Sequence, residues 1–199
     1  HVTTRQDVQL HEVYIEDTPE VLNQLLEVGL TPAGGGGNTI RNITTCSHGG
    51  VGPEEVFDPR PYAVAATDYF LQFDSSYHMP RKLKIAFSGC ASDCALAGIN
   101  DVGFIARIQN GEQGFTVFIG GGLGTHSRPA DLFADFIPAR DTLRMVEAVK
   151  RMFDRYGDRR NRHRARLRFA IERLGTSQFY QELQGEYSTI SHEEVPDAV

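Results

Sequence analysis

Three cysteines among 199 residues are too few and odd in number for a disulfide framework, which leaves metal, redox or plain core roles. No apolar run approaches the ~20 residues of a membrane span, and no signal-peptide pattern opens the chain; together these read as a cytoplasmic protein with no membrane partner. There is no excess of positive charge either. Twenty Lys and Arg face 26 Asp and Glu, a net charge of −6 that argues against general nucleic-acid binding. No internal repeat is detectable. What remains, with 40% hydrophobic and 23% charged residues, is the composition of a globular chain long enough to bury a core. The first residue is His1 rather than Met, and the chain reads as a piece of something longer.

The most informative stretch runs from Pro80 to Gly124. Lys82 and Lys84 stand one residue apart at the start of an apolar run, so the period-2 geometry of a strand points both to one face. Cys90-x3-Cys94 follows on a Gly/Ser/Asp turn. Strand-like runs at Val102 to Ile108 and Gly114 to Ile119 end on Gly120, Gly121 and Gly122, where backbone amides are expected to approach a flat or anionic ligand.

Around this stretch the pattern predicts a strand over His1 to Ile15 that shows Arg5 on its polar face, then a helix capped by Thr18, started by Pro19 and stopped at Gly29. Gly34 to Gly37 is the best domain boundary. The polar stretch NTIRNITTCSHGG after it displays Arg41 and Asn42 at a site or surface. Pro53 to Phe73 is helical in pattern but interrupted by Pro59 and Pro61. Leu132 to Phe136 reads as a short helix, and a longer one ends at Gly157. In the arginine-rich stretch after it, Arg162 and Arg166 are four apart and share a helix face; a solvated, salt-bridged helix is the plain alternative. A last short helix carries Phe179, Tyr180 and Leu183, and Glu186 to Val199 reads as a polar linker.

Taken in order and spacing, TTRQ (Thr3 to Gln6), NTIRN (Asn38 to Asn42), PRKLK (Pro80 to Lys84), INDVGF (Ile99 to Phe104) and GFTVFIGGGLG (Gly114 to Gly124) resemble the first half of the siroheme and [4Fe-4S] sulfite and nitrite reductases. DRRNRHRARLRFAIERLG (Asp158 to Gly175) is similar to the segment that closes that half. The resemblance implies an α+β fold: a partial ferredoxin-like half-domain over residues 1–33, then a siroheme-binding α/β domain over 34–199 with a mixed sheet and C-terminal helices. It implies that Arg5, Arg41, Lys82 and Lys84 surround a small anion, sulfite or nitrite, during its six-electron reduction to sulfide or ammonia. Arg166 matches a basic residue that contacts the tetrapyrrole, and Arg162, Asn42, Asn100, Gly120, Gly121 and Gly122 join it as expected cofactor contacts. Lys84 stands where plant-type nitrite reductases carry asparagine, which favours sulfite.

Implied partners are a C-terminal half of the same chain and a ferredoxin or flavoprotein donor. The family's cluster ligands are spaced Cys-x5-Cys and Cys-x3-Cys in that other half. Here Cys46 is followed six residues on by Gly52, so Cys90 and Cys94 read as a relic of duplication or small core residues, and no residue of this chain is assigned to a metal. Two other readings are a non-catalytic tetrapyrrole-binding module and an oligomeric iron-sulfur protein that uses Cys90 and Cys94.

Overall fold

A computed structural model describes His1–Val199 as a mixed α+β fold. The chain forms α1 (Thr18–Glu27), β1 (Thr44–Thr45), α2 (Arg60–Phe70), β2 (Ile85–Ser88), β3 (Val102–Gln109), β4 (Glu112–Ile119), β5 (Asp131–Pro138), α3 (Thr142–Tyr156), α4 (Leu167–Leu174) and α5 (Thr176–Thr189). The five strands make one sheet in sequence order: β1, β2 and β3 are parallel, and β4 and β5 are antiparallel. Parallel neighbours cannot be joined by a tight hairpin. The α2 segment makes the first crossover, and the loop Gly89 to Asp101, with only a short 3-10 turn, makes the second. By contrast β3 and β4 meet through Asn110-Gly111, both at positive φ, the conformation a two-residue hairpin turn demands.

The core follows from period. Phe87 and Phe104 on adjacent strands stack at 4.5 Å, and Phe115 of β4 packs edge-on against both. Along α3, Leu143, Val146, Val149, Met152 and Phe153 recur at helical spacing and are buried.

Several expectations fail for identifiable reasons. His1 to Ile15 is no strand: residues 3–7 form a turn closed by Thr3 N–H to Asp7 C=O at 2.8 Å, with Gln6 in the left-handed region and one isolated bridge, Val2 to Val8. Its alternation reflects no packed face, since Val2, Val8 and Leu10 are exposed. The helix expected at Leu132 to Phe136 is strand β5. The spacing of Leu132, Phe133, Phe136 and Ile137 imitates a helix because irregular register against β4 disturbs the two-residue alternation. The Pro53 to Phe73 pattern is cut short early, as its prolines require: residues 53–59 are not helical, Pro59 caps α2 and Pro61 occupies its first turn. The NTIRNITT stretch is not purely surface, since Ile40 and Ile43 are buried and Thr44–Thr45 pair with β2. Finally, α5 reaches Thr189, and the tail is no loose linker: Ile190, Val195 and Ala198 are buried, with Ala198 N–H bonded to Arg140 C=O at 3.0 Å.

The second crossover lies flat on β3. A Cβ at Gly103 would stand 2.3 Å from the Ala97 carbonyl oxygen, so Gly103 fixes how closely the loop docks. Gly103→Ala is expected to lower stability by about 2 kcal/mol in urea unfolding, whereas Gly36→Ala, with nothing within 4 Å and no positive φ, is expected to be near neutral.

Candidate functional site

The crossover topology gives the parallel strands two chemically distinct ends. Cys46 and Cys90 follow the C-terminal ends of β1 and β2. Arg41, Lys82 and Lys84 precede the N-terminal ends, beside Asn100-Asp101 and the glycine run that leaves β4. The alternation read from sequence holds here: Leu83 bridges Ile40 and is fully buried, while Lys82 and Lys84 on either side of it are only half-buried.

Asp101 organises the cationic end. Its carboxylate is fully buried, receives Arg166 Nη2 at 2.7 Å and Nε at 3.3 Å, and accepts the Lys84 backbone N–H at 2.8 Å. Its own carbonyl accepts the Gly120 N–H at 2.9 Å. One residue thus ties the start of β2, the end of β4 and the entry to α4 together, the first and last through its side chain and the second through its carbonyl.

Arg5 reaches this end from the N-terminal turn. Its Nη1 donates to Asn100 Oδ1 at 2.8 Å and its Nη2 to the carbonyls of Asn42 at 2.7 Å and Ile85 at 3.0 Å, while its buried Nε has no partner. Asn42 in turn donates to the carbonyls of Arg5 at 2.8 Å and Gln6 at 3.1 Å. Asn100 donates to Leu96 C=O at 2.7 Å. Both asparagines therefore hold Arg5, and the structure gives them a positioning role rather than free donors for a cofactor.

Arg41 clamps the four-glycine segment through Gly35 C=O at 2.7 Å and Gly37 C=O at 3.3 Å, so that segment is tethered rather than a free hinge. Arg162 is the outlier. It is exposed in a 3-10 turn, whereas Arg166 is the extended residue that caps α4, so the two do not share a helix face. The glycines also act otherwise than expected. All three are buried, and the N–H groups of Gly120 and Gly122 already bond to Asp101 and Arg128. A Cβ at Gly121 would stand 2.7 Å from the Asn100 carbonyl oxygen, and one at Gly122 2.3 Å from Arg168 Nη1. Gly121 and Gly122 thus make room for their neighbours.

Arg168, which the sequence reading passed over, is buried with Nε and Nη1 both unpartnered, its guanidinium 4.8 Å from the Phe169 ring centre. The signal was present in the A-R-L-R run: two arginines two apart at a helix start, only one of which Asp101 can neutralise.

The cations converge closely enough to depress one another's proton affinity. Burial first, then Arg5, Arg166 and Lys82, bring Lys84 down to about 8. Burial, then Arg166, Arg41 and Arg81, lower Lys82. Burial also brings Arg5 to about 10 against the opposing pull of Asp101, and lowers Arg168, with Arg166 adding to the effect. Asp101 is the acidic group that opposes these shifts on both lysines, and it is already paired with Arg166. A wall of positive charge this short of acids is complementary to an anionic partner.

At the other end, Cys46, Cys90 and Cys94 are free thiols whose sulfurs all lie within 4.8 Å of one another. Cys46 and Cys90 are buried and Cys94 is exposed, so the reading of small core residues fails for Cys94. Burial would raise Cys90, but bonds from Ser92, Cys94 and Ser88 outweigh it and bring the thiol to about 6. Burial and the neighbouring thiols push Cys94 up to about 12.

Fold and wall define a class: an α+β domain that opens one end of a mixed sheet to an anionic ligand. Comparison with known proteins narrows it. Residues 36–191 match the family model described as the nitrite and sulphite reductase 4Fe-4S domain, and the chain belongs to that family. It is 36% identical to an assimilatory ferredoxin-dependent nitrite reductase of Haloferax mediterranei, with 94% of this chain and 33% of the relative covered. It is 32% identical to sulfite reductase [ferredoxin] 1 of Mycolicibacterium paratuberculosis, over 94% of this chain and 33% of that protein. The solved structure of the Mycobacterium tuberculosis NirA protein superposes with a TM-score of 0.86 at 32% identity, over 94% of this chain and 34% of that one. A dissimilatory sulfite reductase I shares the fold, with a TM-score of 0.71 at 14% identity. The chain thus spans about a third of the length of the curated relatives it matches.

The family implies siroheme and a [4Fe-4S] cluster. The orphaned donors of Arg5 and Arg168, the unneutralised lysines and the space left by Gly121 and Gly122 fit a carboxylate-bearing macrocycle. The thiols do not fit the cluster: they are one short of its four ligands.

Asp101→Ala is expected to destabilise the fold by about 3–5 kcal/mol in chemical denaturation, because it strands the buried Arg166 guanidinium. Since Lys84 lies below its ordinary 10.5, its charged form costs stability at every pH below about 8, and that cost fades between about 8 and 10.5. Lys84→Met should therefore raise Tm at pH 7 in the ligand-free chain, by an amount that disappears as pH approaches 10.5.

Proposed function

We propose that this chain is the N-terminal half of a siroheme-dependent reductase that takes sulfite or nitrite through six electrons to sulfide or ammonia, with residues 34–199 as its siroheme-binding domain and 1–33 as part of a ferredoxin-like one. The observation that carries the reading is the wall of cations around Asp101, short of negative charge and bearing buried donors without acceptors. The family match beginning at residue 36 supports a boundary near the glycine segment.

Siroheme, when bound, would supply the iron that takes the anion and would pass to it the electrons delivered by the ferredoxin or flavoprotein donor. Arg166 and Arg168 are the groups to face its carboxylates: one is fixed by Asp101, the other is without acceptors. Arg5, Arg41, Lys82 and Lys84 would hold the substrate oxygens, Arg5 and Arg41 as guanidiniums locked by backbone carbonyls and the lysines as mobile ammonium groups. Each S–O or N–O cleavage consumes protons. With a pKa of about 8, Lys84 exchanges a proton near neutral pH, which suits it to deliver them and to be recharged from water.

Sulfite is the preferred substrate on this reading. It carries more negative charge than nitrite and gains more from a second lysine. The relatives named for ferredoxin favour a ferredoxin donor, and a flavoprotein is the alternative.

The test uses the protein at its natural length. Siroheme absorbance and methyl-viologen-driven reduction of both anions are expected, with Lys84→Met raising KM for sulfite more than for nitrite. Absence of a siroheme spectrum would sink the proposal as a whole. A higher kcat/KM for nitrite would sink only the preference.

A further inference from the structure

We infer that Cys46, Cys90 and Cys94 form a site for a single soft divalent cation, with Zn²⁺ as the natural probe, at the end of the sheet opposite the cationic wall. The inference is independent of whether that wall takes siroheme.

The first support is distance. Three thiolates on one tetrahedral ion with 2.3 Å bonds stand about 3.8 Å apart. The thiolates of a cubane cluster, each on its own iron, stand on the order of 6 Å apart. Here Cys90 Sγ and Cys94 Sγ are 3.3 Å apart and no pair exceeds 4.8 Å. That spacing matches one ion and is too tight for a cluster.

The second support is the polar shell around the sulfurs. Gly89 N–H donates to Cys46 Sγ at 3.1 Å, and Ser92 Oγ donates to Cys90 Sγ at 3.2 Å. The buried Ser88 Oγ stands 3.5 Å from Cys46 Sγ and 3.8 Å from Cys90 Sγ. Donors aimed at sulfur stabilise thiolates and orient metal ligands, whereas an inert core cysteine needs none. Gly89 is the only residue type that fits: a Cβ there would meet Glu55 Oε1 at 2.8 Å and Pro59 Cδ at 2.9 Å.

The third support is room. A cavity of about 150 Å³ borders all three cysteines, with His48 and Glu55 also on its wall. Glu55 is already committed, its two oxygens taking the Gly50 N–H at 3.0 and 2.8 Å. His48 is less so: its Nδ1 lies 3.2 Å from Ser47 Oγ, and no hydrogen bond engages its Nε2. The ligand atoms gathered here are the three sulfurs alone, so the fourth position of the ion falls to a water in this cavity, or to His48 after a change of rotamer.

The test is zinc content by mass spectrometry and zinc K-edge absorption on the anaerobically purified natural-length protein, loaded with ZnCl₂ and desalted. About one zinc per chain with a sulfur shell near 2.3 Å is expected. Cys94→Ser, at an exposed position that should not disturb folding, is expected to weaken zinc retention by at least about tenfold. Zinc bound only through oxygen and nitrogen, or no retained zinc, would overturn the inference. So would loss of iron and acid-labile sulfide in Cys94→Ser, which would assign the thiols to a cluster, or a Cys90–Cys94 disulfide that survives reduction and anaerobic purification.

Discussion

The buried ion pair between Asp101 and Arg166 is the constraint on which the rest of the functional end depends. A fully buried carboxylate is tolerable only when its lone pairs are met, and Asp101 meets them with a guanidinium and the Lys84 amide. Because those partners come from the start of β2 and the entry to α4, satisfying one charge fixes three segments in register. The surrounding cations then inherit their positions. Lys84 is held by its own amide, Arg5 by Asn100 next in sequence to Asp101, and Arg168 by being two residues on from Arg166.

That arrangement explains an apparent imbalance. A structural ion-pair network would bring one carboxylate to each cation, as happens along α3, where Lys150, Arg151 and Arg155 share Glu147, Glu186 and Glu194. Around Asp101 there is one acid for Arg5, Lys82, Lys84, Arg166 and Arg168. Such a deficit is the arrangement expected of a functional site rather than of a purely structural network.

What could be read from the residues was the local and the periodic. The Lys82/Lys84 alternation, strands β3 and β4, helix α3 and the Gly29 and Gly157 stops follow from patterns a few residues long, and the structure keeps them. The ordered motifs identified the family for the same reason. What could not be read depends on contacts distant in sequence. The N-terminal turn alternates like a strand but has no partner to pair with. Strand β5 looks helical until β4 imposes an irregular register on it. Asn42, Asn100 and the glycines were assigned to a ligand, although their donors or their space serve the chain itself. That difference is visible only once Arg5 and Arg168 are seen folded against them. The three thiols are 43 and 3 intervening residues apart in sequence, and their convergence needs β1 and β2 to lie side by side.

The chain is acidic as a whole, yet Arg5, Arg41, Lys82, Lys84, Arg166 and Arg168 are gathered at one end of the sheet. An approaching oxyanion therefore meets two fields. Beyond a Debye length of about 8 Å at physiological ionic strength the net charge of −6 is screened away, and inside that distance the local wall dominates. Salt thus hides the repulsive part of the electrostatics more completely than the attractive part. The potential at this face should be far less sensitive to ionic strength than the sign of the whole molecule would suggest.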